Sequence, residues 1–408
     1  MPAGLQQARL GPWVCGMPLF KQVARKHKLV LLIDAVGSLL FLPNLIRRRT
    51  IRAEGLDHIR RILWINLWGL GDLTLATPAL ASLRQRFPGA RISVLVSPEI
   101  AALVEHCPWI DEILPATVPW SAGRRGRYNP RRYVEKEFVD LLRFLRQRSF
   151  DLAIDGHADI RNNMLSFLIG AHRRLGLDYG GGRFFLTDLV PPDFSRPHHA
   201  QVMMQLVAYL GGKPVLEHPK LHVAPEDREA ANEFWIKHGL HQARLVVGIH
   251  PGAGHPVRQW GLDRFAAVAD ALAQKFPARI VAFAQPDGYG SKLPMRNEHV
   301  RAQPELGLLM ALLEKCGLLI CNDGGPMHIA AALDTPVVAV FGPTEPRWWS
   351  PCGANHSLVI LDRFACRPCT NLCKFSQPYC LTELPVDLVT SVAEDQIRRL
   401  LTESRISE

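Results

Sequence analysis

The chain has 408 residues, 48% of them hydrophobic and 21% charged, with a formal net charge of +10. A length of this order supports two domains with separate cores, and the balance of residues reads as soluble and globular. The positive charge suits an anionic partner, whether nucleic acid, a phosphate-rich lipid surface or a phosphorylated substrate, and a plain solvated basic surface accounts for it equally. No aromatic-interleaved basic motif accompanies the charge, so nucleic acid is set aside.

Residues 21–52, "KQVARKHKLVLLIDAVGSLLFLPNLIRRRTIR", place an apolar stretch between basic flanks. Asp34 and Pro43 spoil it as a membrane span of about 20 apolar residues. Two readings stand: an interfacial helix on an anionic membrane, or a helix packed on the first domain. No early apolar core ends at a small-residue cleavage site, so the expected compartment is cytoplasmic and reducing.

From residue 60 a pattern appears twice. "RILWINLWGLGD" reads as a strand and glycine loop, "LTLATPALASLRQRFPGA" as a helix and "RISVLVSPE" as a strand. "RLVVGIHPGAG", "LDRFAAVADALAQKFPA" and "RIVAFAQPDG" repeat that order. Strand–glycine loop–helix–strand is the start of a doubly wound parallel sheet, and its recurrence predicts two Rossmann-like α/β domains facing a central cleft. The expected divisions are an N-terminal segment, 1–57; a first domain, 58–218; a second, 219–386; and a terminal helix, 387–408, crossing back to the first.

The two glycine loops differ in charge. A helix N-terminus offers free N–H groups and a positive dipole end to an anion. In "WGLGD" Asp72 supplies that anion itself, which makes the first domain a poor nucleotide site; Asp72 reads as an N-cap or as a base. The spacing also fails the G-x-G-x-x-G dinucleotide fingerprint. "HPGAGHPVRQW" carries no carboxylate, and His250, Gly252, Gly254, His255 and Arg258 suit a diphosphate. "CNDGGPMHIAAA" follows with Asp323, Gly324, Gly325 and His328, and "FGPTEP" with Gly342, Thr344 and Glu345. Three loops at strand ends in one domain define the crevice where open α/β sheets bind ligands.

"GDLTLATPALASLRQRFPGARISVL", "HPGAGHPVRQW", "CNDGGPMHIAAALDTPVVAVFGPTEP" and "GAHRRLGLD" together resemble glycosyltransferase family 9, the bacterial heptosyltransferases of lipopolysaccharide core synthesis. The resemblance spans roughly residues 58–400. It implies the GT-B fold, with an N-terminal acceptor domain and a C-terminal donor domain. It implies metal-independent, inverting transfer of a sugar, heptose from ADP-heptose, onto an anionic core-type glycolipid. No resident cofactor is expected; the nucleotide sugar is a co-substrate. The family's base falls on Asp72, its basic residue at the diphosphate on Arg258 and its donor-sugar aspartate on Asp323. The common hydroxyl after that aspartate is Gly324 here, which leaves the donor sugar open. An epimerase or hydrolase of the same fold, or a transferase using another nucleotide sugar for a different surface glycan, is the alternative.

On the acceptor side the expected contacts are Gly71, His157 and Arg161, with Arg124, Arg125 and Arg127 of the glycine-rich "GRRGRYNPRRY"; His199 and Arg174 are weaker candidates. "CRPCTNLCKFSQPYC" sets Cys366, Cys369, Cys373 and Cys380 within fifteen residues. These are reduced structural thiols or ligands for zinc or an iron–sulfur cluster, and the spacing is not that of a zinc ribbon. The remaining cysteines are scattered, and no Asp-x-Asp pair is present to hold a divalent ion on a diphosphate.

Overall fold

The computed structural model describes residues 31–120, 130–195, 197–369 and 371–406. Twelve strands form two six-stranded, all-parallel sheets. The first comprises β1 (Arg61–Asn66), β2 (Arg91–Val96), β3 (Glu112–Pro115), β4 (Leu152–Asp155), β5 (Arg173–Leu177) and β6 (Asp188–Val190), in spatial order β3-β2-β1-β4-β5-β6. The second comprises β7 (Leu245–His250), β8 (Ala278–Phe283), β9 (Val300–Ala302), β10 (Leu318–Asn322), β11 (Val337–Phe341) and β12 (His356–Ile360), in order β12-β11-β10-β7-β8-β9. Counted from the first strand of each, both are the 3-2-1-4-5-6 Rossmann order. The strand order reverses between β1 and β4 in one sheet and between β7 and β10 in the other. Those two switch points are where ligands are expected.

The strands are apolar on both faces because helices cover both sides. Along β1, Leu63 and Ile65 join a core on the outer side with Phe138 and Leu145 of α4 (Lys136–Gln147) and Leu165 of α5 (Ile160–Leu168), whereas Ile62 and Trp64 point inward. The second sheet is covered outside by α8 (Leu262–Lys275) and by the terminal helix α13 (Val386–Ile406). The inward faces of both sheets share one core with α3 (Leu70–Arg86), α6 (His199–Tyr209), α7 (Pro225–Lys237), α9 (Leu306–Lys315) and α10 (Gly325–Ala332). Residues 210–224 pass between the halves without helix or strand.

The terminal helix was expected to return to the first domain. Instead Val389, Ala393 and Ile397 of α13 are buried in the outer core of the second, against α8, β11 and β12. Its apolar stripe matches the uncovered face of that sheet, and burying it there completes the second domain's outer layer. The joint between the halves is made by α3 against α10.

Proline in the middle of α3 removes an N–H that Thr74 would otherwise receive. The Thr77 hydroxyl donates to the Thr74 carbonyl at 2.8 Å in its place, so the buried acceptor keeps a partner. The same Thr77 oxygen accepts from the Lys220 N–H at 3.0 Å, and the Leu221 N–H donates to Ala332 of α10 at 3.2 Å. The crossing chain is thereby tied to both helices of the joint.

The N-terminal segment, of which residues 21–30 lie outside the described part, is helical over 31–40 (α1) and Leu42–Ala53 (α2). One side docks on the first domain. Asp34 accepts from the Gly182 and Arg183 N–H groups at 2.8 and 3.1 Å, Asn44 donates to Phe184 at 2.6 Å, and Arg48 donates to Leu186 at 2.8 Å. Phe41 stacks on Phe184 with centroids 5.3 Å apart. The other side leaves Leu32, Leu39, Leu40, Leu42 and Ile46 exposed, Leu39 at 78%. No helix among the described residues is long and apolar enough to cross a membrane.

Candidate functional site

Asp72 sits in the first turn of α3, just past the end of β1. Its Oδ2 accepts from the Gly69 N–H at 3.0 Å, closing the helix start as a capping carboxylate. Its Oδ1 faces two imidazoles, His157 Nδ1 at 3.4 Å and His199 Nε2 at 3.6 Å. Asp72 is thus not the N-cap itself, which is Gly69, but the third helical residue reaching back to it with Oδ2, and Oδ1 is left to face the cleft.

The β4 loop explains how His157 gets there. Asp155 is buried at the end of β4 and accepts from the His157 N–H at 3.0 Å, the Asp159 N–H at 2.7 Å and Asn162 Nδ2 at 2.9 Å. These three donors fold the chain over the strand end, with Ala158 at φ 58°. Burial pushes the Asp155 carboxyl up to about 6 against those bonds. Trp68 stacks on the His157 ring at 4.6 Å, and Arg161 lies over Trp68 at 5.3 Å while forking onto Asp159. Arg161 is thus held beside the loop by its own N-cap residue.

His199 opens α6 and was underrated by sequence. Its ring packs on Trp349 of the second domain with centroids 4.6 Å apart, and burial lowers its pKa to about 4. Arg174, ranked with it, turns away from the cleft: buried in β5, it donates to Phe185 and Asn44 at 2.6 Å each and Ala171 at 2.7 Å. It anchors the α2 helix and makes no acceptor surface. Arg124, Arg125 and Arg127 lie outside the described residues.

On the second domain, Asp323 follows β10 and is buried. It takes the Thr344 hydroxyl hydrogen bond, and Arg258 Nη1 lies 3.6 Å from Oδ2. Burial raises its pKa, with Arg258 and Thr344 pulling it back. Arg258 also donates Nε to Asn371 at 2.9 Å. His250, expected to add positive charge to the β7 loop, does not, and His328 is neutral as well. Burial lowers His250 to about 4 and His328 to about 3, so both are neutral at pH 7. His255 uses Nδ1 to accept from the Val257 N–H at 3.3 Å, capping a short turn.

The glycines divide by task. A Cβ at Gly252 would lie 2.3 Å from the Gln285 side chain, so that glycine admits a neighbour; Gly254 faces open space. Gly324, extended at φ 176°, leads into α10. Gly71 and Gly325, assigned to ligand contact by sequence, meet the opposite domain: their Cβ positions would lie 2.7 Å from His328 Cδ2 and from Leu70 Cβ, respectively. They let the N-termini of α3 and α10 abut.

Three supports were missed. Asn322 at the end of β10 donates to Pro251 at 2.6 Å and accepts from the Trp260 N–H at 3.1 Å, fixing the β7 loop. Asp155 shapes the acceptor-side loop as above. The cysteine-rich segment acts as a brace: Arg367 Nη2 donates to Thr344 at 3.0 Å, the Cys369 N–H to Pro343 at 2.9 Å, and Asn371 holds Arg258. Among the described residues, Cys366, Cys369, Cys373 and Cys380 contribute to no group of three ligand atoms within 4.8 Å.

The switch points meet. His328 of the second domain feels the charges of both Asp72 and Arg258, and His198 bonds Ser350 across the joint at 3.0 Å. Two Rossmann domains with their strand-end loops opposed across a cleft define the GT-B class of fold. Comparison with known proteins narrows this. Residues 138–379 match the family described as glycosyltransferase family 9 (heptosyltransferase), and the chain belongs to that family. It is similar to lipopolysaccharide heptosyltransferase 3 of Escherichia coli, 25% identical over 304 residues, 70% of this chain and 84% of that protein. A family 9 glycosyl transferase structure from Veillonella parvula superposes with a TM-score of 0.65 at 27% identity, over 75% of this chain and 87% of that one. The E. coli ADP-heptose lipopolysaccharide heptosyltransferase II structure also gives 0.65, at 20% identity over 85% and 99% of the two chains.

Proposed function

We propose that the protein transfers a heptose from ADP-heptose to an anionic core-type glycolipid, with inversion at the sugar carbon, at the cytoplasmic face of a membrane. The observation that carries this reading is that Asp72 and Arg258 stand at the switch points of the two sheets, which meet where Gly71 packs on His328. In the reaction the acceptor hydroxyl attacks the anomeric carbon, its proton passes to Asp72, and the sugar–phosphate bond breaks toward the diphosphate. The oxygen that takes the proton is Oδ1, the one facing His157 and His199, while Oδ2 keeps the Gly69 N–H. Proton transfer of this kind is worth about 10²–10⁴ in rate.

Arg258 and the N–H groups at the starts of α10 and the β7 loop meet the leaving diphosphate. This supplies the charge stabilisation without a required metal. Asp323 has two roles: it orients Arg258, and it offers acceptor capacity to donor hydroxyls. The relatives named for lipopolysaccharide heptose transfer support donor and acceptor class. Arg161 and Trp68 beside His157 suit an acceptor bearing hydroxyls and anionic groups.

The helices α1 and α2 support the membrane placement. Their free face carries Leu39, Leu40 and Ile46 together with exposed Arg47 and Arg49, and the one acid of that stretch, Asp34, is buried against the domain. That combination suits an anionic bilayer surface. Leu39→Glu with Leu40→Glu should abolish co-sedimentation with anionic vesicles and leave turnover on a soluble acceptor analogue intact; unchanged sedimentation would refute the surface.

The function is tested by incubating ADP-heptose with a deacylated core acceptor and analysing the anomeric linkage. Product only with acceptor present, of inverted configuration, is expected. Consumption of donor at equal rate without acceptor would instead indicate a hydrolase.

A further inference from the structure

The ring nitrogens that face Asp72 lack hydrogen-bond partners. His157 Nδ1 and His199 Nε2 are buried, and neither makes a hydrogen bond among the described residues. A buried polar atom without a partner costs about 1–3 kcal/mol, and two converge on one carboxylate oxygen. Distances from Oδ1 are 3.4 and 3.6 Å, and the three ligand atoms all lie within 4.8 Å of one another. Zinc bonds nitrogen and oxygen at about 2.0–2.2 Å in tetrahedral geometry, which sets neighbouring ligands about 3.3–3.6 Å apart. The carboxylate-to-imidazole distances already match the edges of such a site.

The chemistry of the donors agrees. Two imidazoles and one carboxylate suit zinc, iron, nickel or copper rather than magnesium or calcium. Both rings are fixed: His157 is stacked under Trp68 at 4.6 Å, and His199 is packed on Trp349 at 4.6 Å. Asp72 is fixed by its bond from Gly69. Trp349 comes from the second domain, so one wall of the site exists only while the joint is closed.

We propose that Asp72, His157 and His199 bind a first-row divalent transition cation, with its remaining position turned to the cleft, and that the bound ion switches transfer off. The ion occupies Oδ1, the oxygen assigned the acceptor's proton, and leaves Oδ2 on Gly69. Only this inhibitory arm rests on the proposed function; the binding itself does not.

The test uses full-length protein carrying His172→Ala, which removes the other group of candidate ligands, Glu54, His58 and His172. Co²⁺ titration should give one equivalent with the visible d–d band of nitrogen and oxygen ligands and no thiolate charge-transfer band. His157→Ala or His199→Ala should weaken binding on the order of 100-fold, since loss of even a supporting contact costs 10–100-fold. Zn²⁺ should inhibit transfer in parallel, with reversal by chelator. His157 is the more exposed of the two, so its variant serves if His199→Ala fails to fold. Absence of the band, or equal titration by His157→Ala, would overturn the site. Binding with the expected band but no inhibition would overturn the switch alone.

Discussion

The two halves share a strand order and differ at one point of chemistry. At β1 the helix N-terminus is filled by its own carboxylate, Asp72, capped by Gly69. At β7 and β10 the loops carry Arg258 and two extended or open glycines, Gly324 and Gly254, and their buried aspartate is tied to Thr344 and Arg258. On the proposed reading, the same scaffold serves as a proton acceptor on one side and an anion cradle on the other.

The strongest way to break the comparison is Asp72→Ala. Transfer should fall by about 10²–10⁴, while stabilisation by ADP-heptose in a thermal shift remains. Near wild-type turnover would remove Asp72 from the chemistry. Arg258→Ala acts on the other side and should lower kcat/KM about 10–100-fold, the loss of a charged hydrogen bond worth about 1.5–3 kcal/mol. Arg258→Lys should recover part of it but lose the Asn371 contact. Equal effects of Arg258→Ala on a neutral ligand would show a folding defect instead.

Acid should act on the buried groups with opposite signs, against His199, His250 and His328 and in favour of Asp155. His250 and His328, lowered to about 4 and 3, stay neutral in the fold but take protons near 6.5 when unfolded. Their stabilisation is present above 6.5 and is lost as pH falls toward 4, by about 1.4 kcal/mol per unit for each. Asp155, raised to about 6, binds its proton more readily folded, so its burial penalty is relieved as pH falls from 6 toward 4. Hydrogen exchange corrected for intrinsic rate should show α10 losing protection between pH 7 and 5; the Asp155→Asn variant should show a steeper acid loss than wild type, because it lacks the compensating group. The smallest effect is expected from Gly71→Ala. Helix propensity gains about 1 kcal/mol, overpacking against His328 costs about 1–3, and a lower denaturant midpoint decides for the contact.

Sequence made the repeat legible because buried parallel strands are apolar runs and each is punctuated by a glycine loop. The placement of Asp72, Arg258 and Asp323 just past β1, β7 and β10 was legible too, because a charge beyond a strand end adds nothing to a core; their roles are part of the proposal. The charge state of His250 was not legible, since a histidine in a loop reads as a cation until its burial is known. His199 was dim because its partners, Asp72 and Trp349, lie more than 100 residues away on either side. Arg174 misled in the opposite way, as a buried arginine spends its donors on carbonyls. The terminal helix was misplaced because an amphipathic stripe says that a helix is buried, not where.

Gly71 against His328 and Gly325 against Leu70 put a close joint between the halves beside the groups proposed to react. A pair of jaws normally closes far from its hinge. Here the fulcrum and the bite coincide: any swing that preserves the α3–α10 packing moves the rims of the cleft most and the carboxylate–guanidinium pair least. The lever arm is longest where large substrates enter and shortest where a fraction of an ångström matters. Opening for a bulky acceptor and constancy at the atoms proposed to react are then one property of the same two hydrogen-sized side chains.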